Sequence, residues 1–363
     1  MNENEEPRSG QDASRQRSRA RIRENSLVQR LRRSYQALGL GRSGCVLVGF
    51  SGGADSLALM SLLANLARHV GFEVRAVHVD HGARGESATD AQTARTVANA
   101  LGVDVEVMVV PAESLARHPG VGWEEAMRRE RYRIFAEAAA RAHADVIAVA
   151  HHQGDQAETV LLHLLRGSGI RGASAMRPVA TLTVPWWDEP VSDTGAQRLR
   201  MWRPLLGESA EELQAYAESL GSPIVQDPSN QDVSFRRNAI RHDVIPVLER
   251  VAPGATLNLA RFAELASADS DELDRQARAA LDSAIQPDEL ERRWLLGLPL
   301  AIRRRVIQFW ITRNAPVGRE VSFNRIDEVL RVASAKGRAR MVEIGDGVSV
   351  RIAQDTLTIS HDQ

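Results

Sequence analysis

Between residues 45 and 166 the spacing of apolar positions switches repeatedly between two periods. Cys45–Phe50 (CVLVGF) is one continuous apolar run, as expected of a strand covered on both faces. Leu57–Val70 then repeats its apolar residues at helical spacing. The alternation continues with strands over Val74–Val79, Val103–Val110 and Val146–Ala150 and helices over Thr89–Leu101, Glu124–Arg141 and Gln156–Arg166. Strands and helices joined by short links predict parallel βαβ units, hence an α/β fold with a doubly wound, mostly parallel sheet. Ligands of such sheets sit beyond the carboxyl ends of the strands, here Ser51–Ser56, Asp80–Arg84 and His151–Asp155.

The flanks read differently. Residues 1–24 carry almost no large apolar side chains and alternate arginine with small polar residues, which predicts a disordered basic tail. A helix over Ser26–Leu38 follows, stopped by Gly39 and Gly41. Residues 170–203 suggest loops with an edge hairpin, Ser209–Leu220 a short helix, and Gln226–Arg241 an unpatterned polar stretch. Beyond it, helices are predicted over Leu257–Ile285, Glu289–Leu296, Leu300–Asn314 and Asn324–Ser334. Short strands Met341–Ile344, Val348–Ile352 and Leu357–Ile359 close the chain. A boundary near Pro246–Gly254 therefore separates a domain over 25–248 from a smaller, mainly helical one over 249–363.

Composition removes several classes of protein. The 363 residues hold 46 basic and 47 acidic side chains, a formal charge of −1, so any polyanion partner must be met by local patches. The single cysteine, Cys45, excludes an intramolecular disulfide, a Cys-rich zinc site and two-cysteine redox chemistry. No apolar run approaches bilayer-spanning length, and Met1–Gly10 has no hydrophobic signal segment, which predicts a cytoplasmic protein without membrane contact. Of the basic residues only Lys336 is lysine. A coding bias accounts for that, although the planar arginine fork also suits phosphate.

The most informative segment is Ser51-Gly52-Gly53-Ala54-Asp55-Ser56, between a buried strand and a helix. Two glycines allow a tight turn and close backbone approach, the helix start offers unpaired N–H groups, and Ser51 and Ser56 bring hydroxyls, together a phosphate cradle. Asp55 would repel bare phosphate, so its carboxylate implies Mg²⁺ or an opposing donor. A capped helix after a tight turn is the plainer alternative. No Gly-Lys-Ser/Thr follows, so this is not a Walker A loop. It resembles the pyrophosphate loop of the N-type ATP pyrophosphatases, which transfer AMP to a substrate.

Four further segments narrow the choice. They are His78-Val79-Asp80-His81-Gly82-Ala83-Arg84; Trp123-Glu124-Glu125-Ala126-Met127-Arg128-Arg129-Glu130-Arg131-Tyr132; and His151-His152-Gln153-Gly154-Asp155-Gln156-Ala157-Glu158-Thr159, which runs on into Arg166–Gly172. The fourth comprises Arg203-Pro204-Leu205-Leu206, Asp227-Pro228-Ser229-Asn230 and Arg236–Arg241. In this order, over Val46–Pro246, they resemble the bacterial tRNA(Ile)-lysidine synthetase family. Ala83 and Met127 depart from that family's usual Leu and Ala.

The resemblance implies an ATP- and Mg²⁺-dependent ligase. It would adenylate the 2-carbonyl oxygen of the wobble cytidine of a CAU-anticodon tRNA(Ile), and free L-lysine would then displace AMP. On that basis Ser51, Gly52, Gly53, Ala54, Asp55 and Ser56 would hold the pyrophosphate, Asp55 also the metal, and His78, Asp80 and His151 would contact ATP. Arg128 would neutralise phosphate charge, and Asp155 with Glu158 would take the lysine ammonium and its proton. His152, Arg237, Asn238 and Arg241 would position the cytidine. Plainer readings stand beside these: a surface arginine for Arg128, a solvated helix start for Asp155 and Glu158, and packed rings for His151 and His152. The clusters Arg292, Arg293, Arg303, Arg304, Arg305 and Lys336, Arg338, Arg340 are expected on the tRNA backbone. Trp294 and Trp310 read either as stacking platforms or as core. An ammonia-dependent synthetase of small molecules and a non-catalytic RNA-binding protein are the competing functions, and a homodimer is an open option.

Overall fold

The computed structural model describes residues 24, 26–80, 87–185, 197–225, 235–284, 288–314, 321–335, 339–345 and 347–361. Most of the expected basic tail, His81–Arg84, Asp227–Asn230, Lys336 and Arg338 lie outside them. Glu24, placed in the tail by its composition, is instead helical, and its Oε1 accepts a hydrogen bond from Asn65 Nδ2 at 3.0 Å.

Helix α1 (26–38) buries Leu27, Leu31, Tyr35 and Leu38 along one stripe. Strand β1 (Cys45–Gly49) is buried along nearly its whole length, as its continuous apolar run requires. It leads into α2 (Ala54–Val70), β2 (Glu73–Asp80), α3 (Ser87–Leu101) and β3 (Asp104–Val109). A 3₁₀ turn over Ala112–Arg117 precedes α4 (Trp123–Arg141), β4 (Val146–Ala148), α5 (Gln153–Leu165), α6 (Ile170–Ala173), and the hairpin β5 (Val179–Val184) and β6 (Gln197–Trp202). The strand order is β3-β2-β1-β4-β6-β5, parallel except for the antiparallel edge strand β5. Helix α7 (Ala210–Ser219) packs on α2, where Ser61 and Tyr216 hydroxyls bond at 3.1 Å. Trp202 is fully buried, its Nε1 donating to Ser34 Oγ at 2.9 Å.

This order has one topological switch point, between β1 and β4. The chain leaves β1 toward β2 on one side and β4 toward β6 on the other, so the loops after β1 and β4 part over a crevice. The sequence singles out these two loops together with Asp80–Arg84, and the topology makes the two of them neighbours.

The polar stretch read as unpatterned is helical from residue 236. It forms α8 (Arg236–Ala239), a π-helical turn (Ile240–Val244) and α9 (Ile245–Val251). Pro246 has no N–H for a regular i→i−4 bond, and the widened turn directly before it accommodates the missing donor. Arginine and asparagine hide the pattern because, among the described residues of these helices, Ile240 alone is buried.

Helix α10 (Ala255–Asp282) begins in this first compact unit and ends in a second, the two dividing between Ala263 and Glu264. The break expected at Pro246–Gly254 lies upstream of that division. The second unit has β7 (Glu289–Glu291), α11 (Arg292–Gly297), α12 (Leu300–Asn314), α13 (Phe323–Ser334), β8 (Arg340–Gly345), β9 (Val348–Ile352) and β10 (Thr356–His361). Its antiparallel sheet runs β7-β10-β9-β8 over a core containing Leu290, Val306, Trp310, Val329 and Leu357. The helix expected over Glu289–Leu296 is thus a strand up to Glu291: Leu290 alternates with two glutamates, is fully buried, and pairs with Leu357.

Candidate active site

The β1–α2 loop is laced to itself. Ser51 N donates to Ser56 Oγ at 3.2 Å, the two serine hydroxyls lie 3.1 Å apart, and Ser56 Oγ donates to Gly53 O at 2.9 Å. Ser56 is buried, so its hydroxyl braces the turn and is not presented to a ligand. Helix α2 has Gly53 as its N-cap with no side-chain cap, which leaves the first-turn amides of Ala54, Asp55 and Ser56 as the cradle's donors. Gly52 has φ +86°, and a Cβ there would lie 2.9 Å from Val225 Cγ2, while Val225 N donates to Gly52 O at 3.0 Å. Gly52→Ala therefore combines a left-handed strain with a clash. A loss of about 1–3 kcal/mol is expected in urea unfolding; an unchanged midpoint would contradict this loop conformation.

His78, at the end of β2, is buried and donates its Nδ1–H to Phe50 O at 2.9 Å, leaving Nε2 as an acceptor. Asp80 ends the same strand, its carbonyl accepting from Val110 N.

The β4–α5 junction supplies the opposite wall. His152 is the N-cap of α5: its Nδ1 accepts from Gly154 N at 2.9 Å, and Asp155 Oδ2 accepts from His152 N at 3.0 Å, a closed capping box. A Cβ on Gly154 would sit 2.7 Å from the ring's Cε1, so only glycine leaves room for this cap. With Nδ1 accepting, the proton lies on Nε2, which is 3.6 Å from both Asp55 Oδ2 and Asp155 Oδ2. One imidazole thereby stands between the two loops. Burial and the neighbouring Asp155 carboxylate push the Asp55 pKa up, against the pull of His152 and Arg241.

Asp155 and Glu158 lie on one face of α5, as their spacing predicts, but they do not form an open acidic cup. Arg237 reaches Glu158 Oε2 at 2.6 Å and Asp155 Oδ1 at 2.8 Å; Arg241 reaches Glu158 Oε1 at 2.5 Å and Asp155 Oδ1 at 3.2 Å. Two guanidiniums and two carboxylates close a neutral quartet, occupying the acceptors expected for an ammonium. Although burial opposes it, His152, Arg237 and His151 hold the Asp155 carboxyl below the ordinary carboxylate value. Arg237 is raised by Asp155 and Glu158 despite its own burial.

His151 stands next to the quartet. Burial first, then Arg203, Arg237 and Arg128, push its pKa down to about 3, against Asp155. Arg128 lies on α4 with its side chain half exposed and Cζ 5.3 Å from the Tyr132 ring centroid. Asn238 is on α8 beside Arg237. The residue that sequence reasoning noticed without assigning is Arg203. Gly154 and Val225 were also missed as site-forming residues; the glycine two places after a cap histidine is the signal that marks the former.

The arginines of the second unit are largely spoken for. Arg304 pairs with Asp327 at 2.8 Å and Arg305 with Asp274 at 2.8 Å. Arg303 donates to the carbonyls of Leu296 and Leu298, and Arg292 to those of Ala333, Gln354 and Ala335. Of the cluster expected on the phosphate backbone, Arg292 and Arg303 thus hold backbone carbonyls and Arg304 and Arg305 sit in ion pairs, while Lys336 and Arg338 lie outside the described residues. Trp310 is core, and Trp294 packs against that core.

Asp55 is half exposed, and among the described residues no three His, Cys, Asp or Glu side chains converge as a metal cage. A lone carboxylate beside amide donors fits Mg²⁺, which commonly takes one or two carboxylates plus phosphate oxygens and water. No helix among the described residues is long and apolar enough to cross a membrane.

A glycine loop braced at a helix start, over the switch point of a mostly parallel sheet, defines a PP-loop protein, and the PP-loop domain model matches residues 23–248. The U34-tRNA thiolase NcsA from Methanococcus maripaludis shares the fold at TM-score 0.54, with 16% identity over 67% of this chain and 79% of that one. The TilS substrate binding domain model matches residues 290–358. The tRNA(Ile)-lysidine synthase of Gloeobacter violaceus is 34% identical over 93% of this chain and 97% of its own length. That of Salinispora arenicola is 40% identical over 74% and 76%. The longer Chromobacterium violaceum synthase is 37% identical over 73% of this chain but only 56% of its own length. The chain belongs to the tRNA(Ile)-lysidine synthase family, ligases of the PP-loop ATP pyrophosphatase class.

Proposed function

We propose that this chain joins free L-lysine to carbon 2 of the wobble cytidine in a CAU-anticodon tRNA(Ile), cleaving ATP to AMP and pyrophosphate and changing codon reading from AUG to AUA. The observation that carries the reading is the crevice itself: the α2 start and Asp55 on one wall, His152 and the α5 carboxylates on the other, joined 3.6 Å apart.

In this reading the first-turn amides of α2 hold the pyrophosphate portion of ATP. Asp55 holds Mg²⁺, which, when bound, neutralises charge developing on the phosphates. The Nε2 acceptor of His78 and the end of β2 at Asp80 suit the donor edge and hydroxyls of the nucleoside. Arg128 offers its guanidinium to the α-phosphate as the cytidine 2-oxygen attacks phosphorus and the bond to pyrophosphate breaks. The product, an AMP ester at carbon 2, gives cytosine the leaving group it otherwise lacks. The lysine amine then attacks carbon 2, the carbon–oxygen bond to AMP breaks, and the amine proton passes to a carboxylate. An incoming ammonium would take over acceptor positions on Asp155 and Glu158 now held by Arg237 and Arg241, turning those arginines, with Asn238 and His152, toward the nucleotide being modified.

The test is conversion of ATP to AMP with a CAU-anticodon transcript, with and without lysine. AMP released as a free product only when both are present, with lysine incorporated into the RNA, is the expected result. Equal AMP release without RNA would remove the nucleobase as the acceptor.

A further inference from the structure

Arg203 follows β6 and is 8% exposed, yet no carboxylate meets it among the described residues. Its Nε–H donates to His151 Nδ1 at 3.2 Å, Nη1 donates to Arg177 O at 2.9 Å, and Nη2 lies 2.9 Å from Met201 Sδ. The Tyr132 hydroxyl also acts on it. Every acceptor is neutral. Burying a guanidinium without a counter-charge is costly, so stability alone does not account for an arginine here.

What the arrangement does is fix His151. A ring nitrogen that accepts cannot carry the proton, so Nδ1 facing Arg203 places the proton on Nε2. Among the described residues no protein group bonds to Nε2, whereas His152, one residue on, has both ring nitrogens directed at protein atoms. The charged groups acting on the His151 ring come from four elements: Asp155 on α5, Arg203 after β6, Arg237 on α8 and Arg128 on α4. Three of the four are cations, which disfavour imidazolium.

We propose that Arg203 is a positioning residue for the reaction: it holds His151 as the neutral Nε2–H tautomer, so that this histidine meets a substrate oxygen as a hydrogen-bond donor and takes no part in proton transfer. The role rests on the ligase reading above, but the tautomer does not. The burial and cation pressure that bring the ring to about pKa 3 keep it neutral across working pH.

The experiment uses the full chain with ¹⁵N-labelled histidine, His151 being assigned by the signal lost in His151→Gln. Long-range ¹H–¹⁵N spectra should show the Nε2–H tautomer, unprotonated from pH 8 down to pH 5. Arg203→Met, which removes a buried charge at similar volume, should populate both tautomers and move the protonation midpoint upward. It should lower AMP formation roughly ten- to a hundred-fold, the range found when the partner that orients a metal-bound histidine is removed. Arg203→Lys should recover part of the tautomer bias. The double variant His151→Gln/Arg203→Met should be no slower than His151→Gln alone. A rise in KM for ATP places the accepting oxygen on the nucleotide, and a fall in kcat at constant KM for ATP places it on the cytidine. An Nδ1–H tautomer or titration near pH 6.5 in the unsubstituted chain would overturn the proposal, as would additive losses in the double variant. Were the spectra as expected but AMP formation independent of tRNA, the positioning would stand and the ligase reading would fail.

Discussion

Asp55→Ala is expected to reduce AMP and pyrophosphate formation by about 10²–10³-fold, the loss found when one preorganised electrostatic partner is taken from a reacting centre. Stability should change by about 0.5 kcal/mol or less, in either direction. Asp55 is half exposed, and the side chain beside it is the His152 imidazole 3.6 Å away. Burial and Asp155 already disfavour its charge, so deletion relieves a repulsion within the fold. The separation is the informative part: full thermal stability with lost turnover marks a group kept for chemistry. Undiminished AMP formation would remove Asp55 from the metal and phosphate assignment.

Glu158→Ala should behave oppositely, with its largest effect on folding. Glu158 is 1% exposed and takes the Nε–H of both Arg237 and Arg241. Removing it leaves two guanidiniums sharing Asp155. Breaking a buried ion pair by deleting one partner typically costs 3–5 kcal/mol. The two arginine side chains retain 28% and 35% exposure, so about 3 kcal/mol is expected. In urea the midpoint should fall with the slope unchanged. A midpoint shift equivalent to less than about 1 kcal/mol would mean that the quartet is not closed in solution.

What could be read from the residues was whatever is coded locally. Helix α12 (Leu300–Asn314) and strand β9 (Val348–Ile352) match their predicted bounds, and β1 ends one residue earlier than its apolar run, because their period or continuity is contained within the element. The parallel sheet followed from strand–helix alternation, and its switch point then brought Asp55 and His152 together. What the structure adds to these readings shares a cause. Arg303–Arg305 read as a phosphate-facing run because Asp274 and Asp327, which hold two of them, are 31 and 23 residues away in sequence. Asp155 and Glu158 read as an open carboxylate pair because their arginine partners lie 79 to 86 residues on. Charge is visible in a sequence, but its neutralisation is a tertiary property. β7 was hidden for a related reason: three residues are too few to display a period, and only Leu357 across the ladder makes them a strand.

Because two arginines cancel two acids beside the crevice, that quartet contributes almost nothing to the potential seen from bulk water. Among the described residues at the crevice, the attraction a polyphosphate meets comes from Arg203, Arg128 and the oriented amides of α2, on a molecule whose formal charge is −1. At 0.1 M salt such a field dies away over about 10 Å. The pull of these groups is therefore short-ranged, and through them discrimination begins only once a ligand is already within touching range.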